Sequence, residues 1–163
     1  RFGCMKYLLF TLLIILFYSC EDQKSKIPVL KKTHEVTYWS DGKTKQLDCY
    51  VKGDVLDGVA RKYYSSGKLK NEVVYDEGKL VKINVVLDTF GRKLEYGTFV
   101  KGNGTVISYD EENNMKSKGS YVNGLKQGIW YDYNYNSEII GKSTFHKGYY
   151  VDNDLRFFYN MYD

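Results

Sequence analysis

The stretch KGSYVNGLKQGIWYDY (residues 118–133) decides the fold of this chain, because it sets two glycines among large aromatic residues. Gly124 follows Tyr121 by three residues, and Trp130 follows Gly128 by two. Glycine adopts positive φ angles without a steric penalty, as tight hairpin turns require, and aromatic residues favour half-buried strands. If the pattern recurs along the chain, it indicates a boundary between two β-hairpins rather than a ligand-binding loop.

Two rows of large apolar residues do recur, and we call them the first and second ladders. The first ladder contains Tyr38, Tyr63, Leu87, Tyr109 and Tyr133, and the second contains Tyr50, Tyr75, Phe99, Tyr121 and Phe145. Successive members of either ladder are separated by 25, 24, 22 and 24 residues. Periods of this length are typical of repeat arrays, so we predict five copies whose ladder residues and Trp130 pack together as a core.

Each copy also carries two turn positions. The first turn has Gly42, Gly67 and Gly91, followed by Asn113 and Ser137, and the second has Gly53, Gly78, Gly102, Gly124 and Gly148. Asparagine enters the left-handed region more readily than most residues, whereas serine is less suited to it. We therefore expect an altered turn in the last copy. Since a two-stranded hairpin is too small to be stable alone, the copies are expected to stack.

The repeats resemble the MORN-repeat variant family of bacterial proteins. The resemblance rests on GIWYDYNYNSE (128–138), GVARKYYSSGKLKNEVVYDEGK (58–79) and GSYVNGLKQGIW (119–130), and it covers about residues 37–150. It implies an all-β fold, an elongated and twisted antiparallel sheet of about five successive hairpins. The departures are Ala60, Asn84 and Val106 at the position of Trp130, and Lys82 at a position where other copies have glycine.

The N-terminal residues are typical of an exported protein. Met5 indicates the start of translation, and an apolar run of 12 residues follows at 7–18. That run is shorter than the roughly 20 residues that span a bilayer, and it suits a signal peptide. Ser19-Cys20 resembles a lipobox, which implies that Cys20 is acylated. Because the preceding aromatic pair departs from the usual lipobox, an uncleaved anchor helix is the alternative.

These observations predict four segments. Residues 1–19 form the signal peptide, 20–36 a lipidated N-terminus and flexible tether, 37–150 the repeat domain and 151–163 a C-terminal cap or tail. The acidic pair after Cys20 resembles the export signal of surface lipoproteins in Bacteroidetes. We therefore expect a lipid-anchored protein of the cell envelope, on the periplasmic or surface-facing side of the outer membrane.

The rest of the sequence contains few residues in patterns typical of catalysis, metal binding or nucleic-acid binding. Beyond residue 19 the chain has 22 Lys and Arg against 20 Asp and Glu, a net charge of +2 that argues against nucleic-acid binding. Cys49 is the one cysteine beyond the leader and anchor, and we interpret it as a small strand side chain. His34 and His146 have no nearby residues in the pattern of a catalytic or zinc site. KGNGTV (101–106) lies on a repeat turn and lacks the pattern of a phosphate-binding loop. Asp152–Asp154 lacks the glycine and the distal Glu of a calcium loop. We predict no catalytic residue, metal or cofactor.

The leading functional hypothesis is a non-catalytic scaffold that binds a protein partner. The resemblance suggests an alternative, since many such repeat proteins are described as YwqK-type antitoxins, and an immunity role against an envelope toxin would suit an exported chain. A lipid-binding module is a second alternative, although a charge of +2 gives it little electrostatic support. A carbohydrate-binding module that uses surface tyrosines and Trp130 is a third.

Overall fold

The computed structural model describes residues 30–154, where every regular element is a β-strand. The predicted signal peptide, the anchor residue Cys20 and residues 155–163 lie outside this range. The strands are β1 Lys32–Tyr38, β2 Lys45–Lys52, β3 Val55–Tyr63, β4 Leu69–Asp76, β5 Lys79–Val86, β6 Gly104–Tyr109, β7 Met115–Val122, β8 Leu125–Tyr133, β9 Ile139–His146 and β10 Tyr149–Asp154. Because β1 begins at Lys32, residues 32–36 belong to the first strand rather than to a tether.

The strands form two five-stranded antiparallel sheets, in the orders β1-β2-β3-β4-β5 and β10-β9-β8-β7-β6. Each sheet is a succession of hairpins, which confirms the predicted all-β fold. The prediction of a single sheet is wrong, because β5 and β6 do not pair with each other. Within the described range, no helix is long and apolar enough to cross a membrane.

The sheets divide at the third copy, where the repeat is shortest. β6 has six residues, whereas β3 and β8, which follow the equivalent turns, have nine. Residues 94–99 run beside β6 without a regular ladder, and Ile107 N donates to Tyr96 O at 3.0 Å. Gly97 allows this approach, since a Cβ there would come within 3.0 Å of the Thr105 carbonyl. The shortened third copy therefore breaks the hydrogen-bond ladder.

A hydrophobic cluster joins the two sheets across this division. Leu80 and Ile83 of β5 pack with Phe99, and all three are buried. Tyr75 from the first sheet and Tyr121 from the second cover the cluster. Two backbone bonds extend the contact, because Leu80 N donates to Gly124 O at 2.9 Å and Gly124 N donates to Gly102 O at 2.8 Å.

All eight predicted turn glycines have positive φ angles: Gly42, Gly53, Gly67, Gly78, Gly91, Gly102, Gly124 and Gly148. In the second turns of copies two to five, the residue before the glycine also has positive φ, as at Asn123 with φ 51°. Two consecutive positive φ angles are typical of the type I′ turn, whose twist matches that of the flanking strands. These turns explain why the glycines recur at a fixed distance from the second ladder.

The expectation of an altered turn in the last copy is wrong. Ser137 adopts φ 65°, and its N–H donates to Asn134 O at 3.0 Å, as Gly67 N donates to Tyr64 O at 2.8 Å. The Asn134 side chain holds the turn, because its Oδ1 accepts from Asn136 N at 2.9 Å and from Glu138 N at 3.0 Å. This side-chain cap offsets the strain of placing serine in the left-handed region.

The last three members of the second ladder form a continuous row of ring contacts together with Trp130 and Tyr150. Adjacent rings in the order Phe99, Tyr121, Trp130, Phe145 and Tyr150 lie 5.7, 5.5, 6.3 and 6.0 Å apart between centroids, with edge-to-face geometry throughout. Edge-to-face pairs stabilise beyond the burial of their area. We call these five residues the aromatic row.

The N-terminal members of both ladders are exposed, which corrects their assignment to the core. Tyr38 is 50% exposed and Tyr50 is 40% exposed. Both lie near the β1 edge of the first sheet, beyond which the described residues form no further strand. The Tyr50 ring lies 5.0 Å from the His34 ring and 5.6 Å from the Lys32 ammonium. Of the other predicted core aromatics, Phe99 and Trp130 are buried, and the half-buried ones are Tyr63, Tyr75, Tyr109, Tyr121, Tyr133 and Phe145.

Tyr64, which directly follows a first-ladder residue, has the most buried large side chain of the described residues, at 2% exposure. Its hydroxyl lies 2.7 Å from Leu87 O and 3.0 Å from Asn113 Oδ1. Trp39 holds the same position one copy earlier, and its Nε1 donates to Tyr63 O at 3.2 Å. In the first two copies, the side chain at this position therefore bonds to a later copy, whereas Asp88, Asp110 and Asn134 at the same position bond within their own turns.

Replacing Tyr64 with phenylalanine is expected to lower the free energy of unfolding by about 1 kcal/mol, because the half-buried carbonyl of Leu87 loses its hydroxyl donor. Burial, followed by the charges of Glu111, Asp88 and Asp110, raises the pKa of Tyr64 to about 12. A raised pKa gives stability that is complete below the unfolded value near 10 and lost as the pH rises through 12. Urea titrations at pH 8, 10 and 12 should therefore show the difference shrinking with pH, and a constant difference would contradict the assignment.

Cys49 is buried at 2% exposure between Val51 and Ala60. Burial raises the pKa of its thiol, and the charges of Glu35 and Asp48 act in the same direction. A neutral, covered thiol is a poor nucleophile. The structure thus agrees with the interpretation of Cys49 as a small strand side chain.

Candidate binding cleft between the two sheets

A cleft of about 560 Å³ lies where the two sheets meet, and both sheets line it. Half-buried apolar side chains form much of its walls: Leu47, Val73, Val86, Leu87, Val106 and Ile107. They come from β2, β4 and the end of β5 on one side and from β6 on the other. The volume falls within the range of about 300–1,000 Å³ that is usual for ligand sites in proteins.

Three lysines line the cleft, and only one has an acidic partner. Lys70 Nζ lies 2.7 Å from Glu111 Oε1 and 5.0 Å from the centre of the Tyr64 ring. Lys62 and Lys116 form no ion pair within residues 30–154. Glu111 is the single acidic residue in the lining, so the cleft carries two positive charges in excess, three minus one.

The protein around the cleft perturbs the ammonium group of Lys62. Part of the Lys62 side chain is exposed to solvent, and the rest lies against the other residues that line the cleft. Burial therefore lowers the pKa of Lys62, and repulsion from Lys70 and Lys116 lowers it further. Loss of hydration and nearby positive charge both disfavour the protonated form of a lysine. An anion near Lys62 would therefore stabilise its protonated form.

Lys126 of β8 extends the positive field toward the aromatic row. Its Nζ lies 4.1 Å from the Trp130 ring centre and 4.7 Å from that of Phe145, which are cation–π distances. Burial lowers the pKa of Lys126, and Lys62 adds repulsion, while Asp132 acts in the opposite direction. Aromatic rings of its own sheet thus hold Lys126. Lys62 makes no cation–π contact within the described residues.

Two buried acceptor atoms belong to residues of the cleft wall. Asn71 Oδ1 and Glu111 Oε2 accept no hydrogen bond from the part of the chain that the structure describes. Buried polar atoms in folded proteins are nearly always hydrogen-bonded. The wall therefore has hydrogen-bonding capacity that no described donor uses.

The cleft contains groups for recognition by charge and shape. Among residues 30–154, no group of three or more His, Cys, Asp or Glu side chains is arranged to hold a metal ion. His34 lies outside the lining, with Nε2 2.7 Å from Asp48 Oδ1, and His146 pairs weakly with Gln127 at 3.4 Å. In KGNGTV (101–106), Val100 and Asn103 exchange backbone bonds around a turn, so this segment is a hairpin.

The predicted aromatics divide between the cleft and the rest of the sheets. Tyr63, Tyr75, Tyr109 and Tyr121 line the cleft, whereas Tyr133, Trp130 and Phe145 are absent from its lining. Sequence reasoning missed the lysines, although one signal was present. Lys70 and Lys116 stand five residues before Tyr75 and Tyr121, at the same position of two copies. That spacing does not predict that Lys70 and Lys116 lie near Lys62.

The fold is a repeat of antiparallel hairpins with a cleft where the two sheets meet. Two segments, residues 56–77 and 103–123, match the MORN repeat variant family. The first runs through β3 and β4, and the second through β6 and β7. Two hairpins of the chain, one in each sheet, are therefore similar to MORN repeats. No curated protein and no solved structure matches the chain significantly.

Proposed function

We propose that this protein is a non-catalytic scaffold of the cell envelope, anchored by acylated Cys20, which holds a partner protein in the cleft between its sheets. The cleft carries the proposal, because it combines half-buried apolar walls with two lysines, Lys62 and Lys116, that form no ion pair within the described residues. A hydrophobic centre with a charged margin is the usual composition of a protein-recognition site. The MORN repeats support the proposal, since such repeats are commonly modules that bind proteins or membranes rather than catalysts.

Site-specific photocrosslinking in cells tests the scaffold function. A benzoylphenylalanine at Gln46, an exposed residue of the cleft lining, is expected to give one abundant adduct with a partner chain. The same group at Lys82, which is exposed and outside the lining, is the control and should give little adduct. Equal labelling from both positions, or none from either, would contradict the proposal. Sequencing the captured chain also tests the antitoxin alternative, which requires a secreted toxin.

Replacing Cys20 with serine is expected to move most of the protein from the membrane fraction to the soluble fraction. The acyl chains would supply the anchor, since each buried methylene contributes about 0.8 kcal/mol to membrane binding. Fractionation together with labelling by a palmitate analogue measures the effect, and Cys49→Ser is the matched control. Unchanged membrane association of the Cys20→Ser variant would favour an uncleaved anchor helix.

A further inference from the structure

We infer that the cleft recognises an extended acidic segment of its partner, with carboxylates that pair with Lys62 and Lys116 and intervening apolar side chains that contact the walls. This inference rests on the scaffold function proposed above and specifies the chemistry of the partner. Three features of the cleft support it: the arrangement of its charges, the composition of its walls and the balance of charge over the rest of the chain.

Charge complementarity identifies the sign of the occupant. Lys62 and Lys116 lack ion pairs within the described residues, and the one carboxylate of the lining already contacts Lys70. Lys62 and Lys116 are both exposed, so an entering anion can reach them, and it would offset the repulsion that Lys70 and Lys116 exert on Lys62. An occupant that also covers the apolar walls would shield these ion pairs from water, so that they contribute more than ion pairs on an open surface.

The walls identify the occupant as a peptide rather than a polyanion. Nucleic acid or an anionic membrane would call for a broad basic surface, but the chain beyond residue 19 has a net charge of only +2, 22 minus 20. The half-buried side chains Val73, Val86, Val106 and Ile107 instead offer apolar contacts beside the lysines. A segment that alternates acidic and apolar residues satisfies both kinds of contact.

A defined peptide probe tests the inference. We would titrate the full chain in detergent with fluorescein-labelled Glu-Val-Glu-Val-Glu-Val-Glu, and with matched peptides that carry Gln or Lys in place of Glu, and measure anisotropy. The Glu peptide is expected to bind at least tenfold more tightly than the Gln peptide, and the Lys peptide should not bind. Raising the NaCl concentration from about 0.05 to 0.5 M should weaken binding of the Glu peptide, since screening reduces attraction between charges.

Matched variants locate the binding. A Lys62→Gln/Lys116→Gln variant is expected to lose at least tenfold in affinity, whereas Lys43→Gln/Lys147→Gln removes the same charge from exposed turns and should keep full affinity. In a Lys62→Glu/Lys116→Glu variant the preference should reverse, so that the Lys peptide binds better than the Glu peptide. Absence of Glu-peptide binding, or equal losses in both Gln variants, would overturn the inference.

The crosslinking experiment separates this inference from the scaffold function. If Gln46 captures a partner equally well in the native protein and in the Lys62→Gln/Lys116→Gln variant, the scaffold function stands and the acidic recognition is wrong. If the Glu peptide binds through the two lysines but no partner is captured in cells, the cleft chemistry stands and the scaffold function is wrong.

Discussion

Replacing Trp130 with alanine is expected to lower the free energy of unfolding by about 3–5 kcal/mol, the usual cost of removing a buried aromatic side chain. Trp130 is only 5% exposed, and its ring contacts those of Tyr121 and Phe145 in the aromatic row. Its Nε1 also donates to Ser120 O at 3.2 Å. A domain of this size has a total stability of about 5–15 kcal/mol, so the substitution should remove a large part of it.

Urea unfolding followed by circular dichroism measures this loss. Trp130→Phe should recover part of it, because phenylalanine keeps an aromatic ring but cannot donate to Ser120 O. Tyr135→Ala is the matched control, since Tyr135 is 77% exposed and its removal should change stability by less than about 0.5 kcal/mol. A loss below about 1 kcal/mol in Trp130→Ala would mean that the aromatic row is not the core of the second sheet.

Replacing Gly119 with alanine is expected to cost about 3 kcal/mol, an overpacking effect at the upper end of the usual range. Gly119 lies in β7 and is buried under the indole of Trp130. A Cβ at Gly119 would come within 3.0 Å of three atoms of that ring, so the indole or the strand must move. The strand thus needs glycine here for close packing, and not for a turn.

A double-mutant cycle distinguishes this clash from other causes. In the Trp130→Ala background, Gly119→Ala should cost less than about 0.5 kcal/mol, because the ring that it meets is gone. Gly91→Ala is the comparison, since a Cβ at Gly91 meets nothing within 4 Å and only the left-handed φ of 86° is unfavourable. That substitution should cost about 1 kcal/mol. Additive effects of the Gly119 and Trp130 replacements would exclude the packing explanation.

The strands, the turns and the second ladder could be predicted because their signals are local. A type I′ turn selects glycine within a few residues, as at Gly124, and a ladder aromatic keeps a fixed distance from that turn. The regular repeat did not predict which ladder residues are exposed. Tyr38 fits the pattern as well as Tyr133, yet it is half exposed, because the described residues form no further strand beyond β1.

Other features depend on contacts that no local spacing encodes. Gly119 matters because the Trp130 ring is folded onto it from the adjacent strand, and Tyr64 is buried because the turns of two later copies approach its hydroxyl. Each of these residues has neighbours in sequence that resemble those of an ordinary strand or turn position. Their roles follow only from the stacking of the copies.

The hairpin repeat, its period and its turn residues follow from the sequence alone, because each hairpin is specified by residues within one period. The division into two sheets and the cleft between them were decided by tertiary structure. A shortened β6 interrupts the hydrogen-bond ladder, the second sheet packs on Leu80 and Ile83, and this packing brings Lys62 close to Lys116. Both the fold of the sheets and the chemistry of the cleft depend on that one irregular copy.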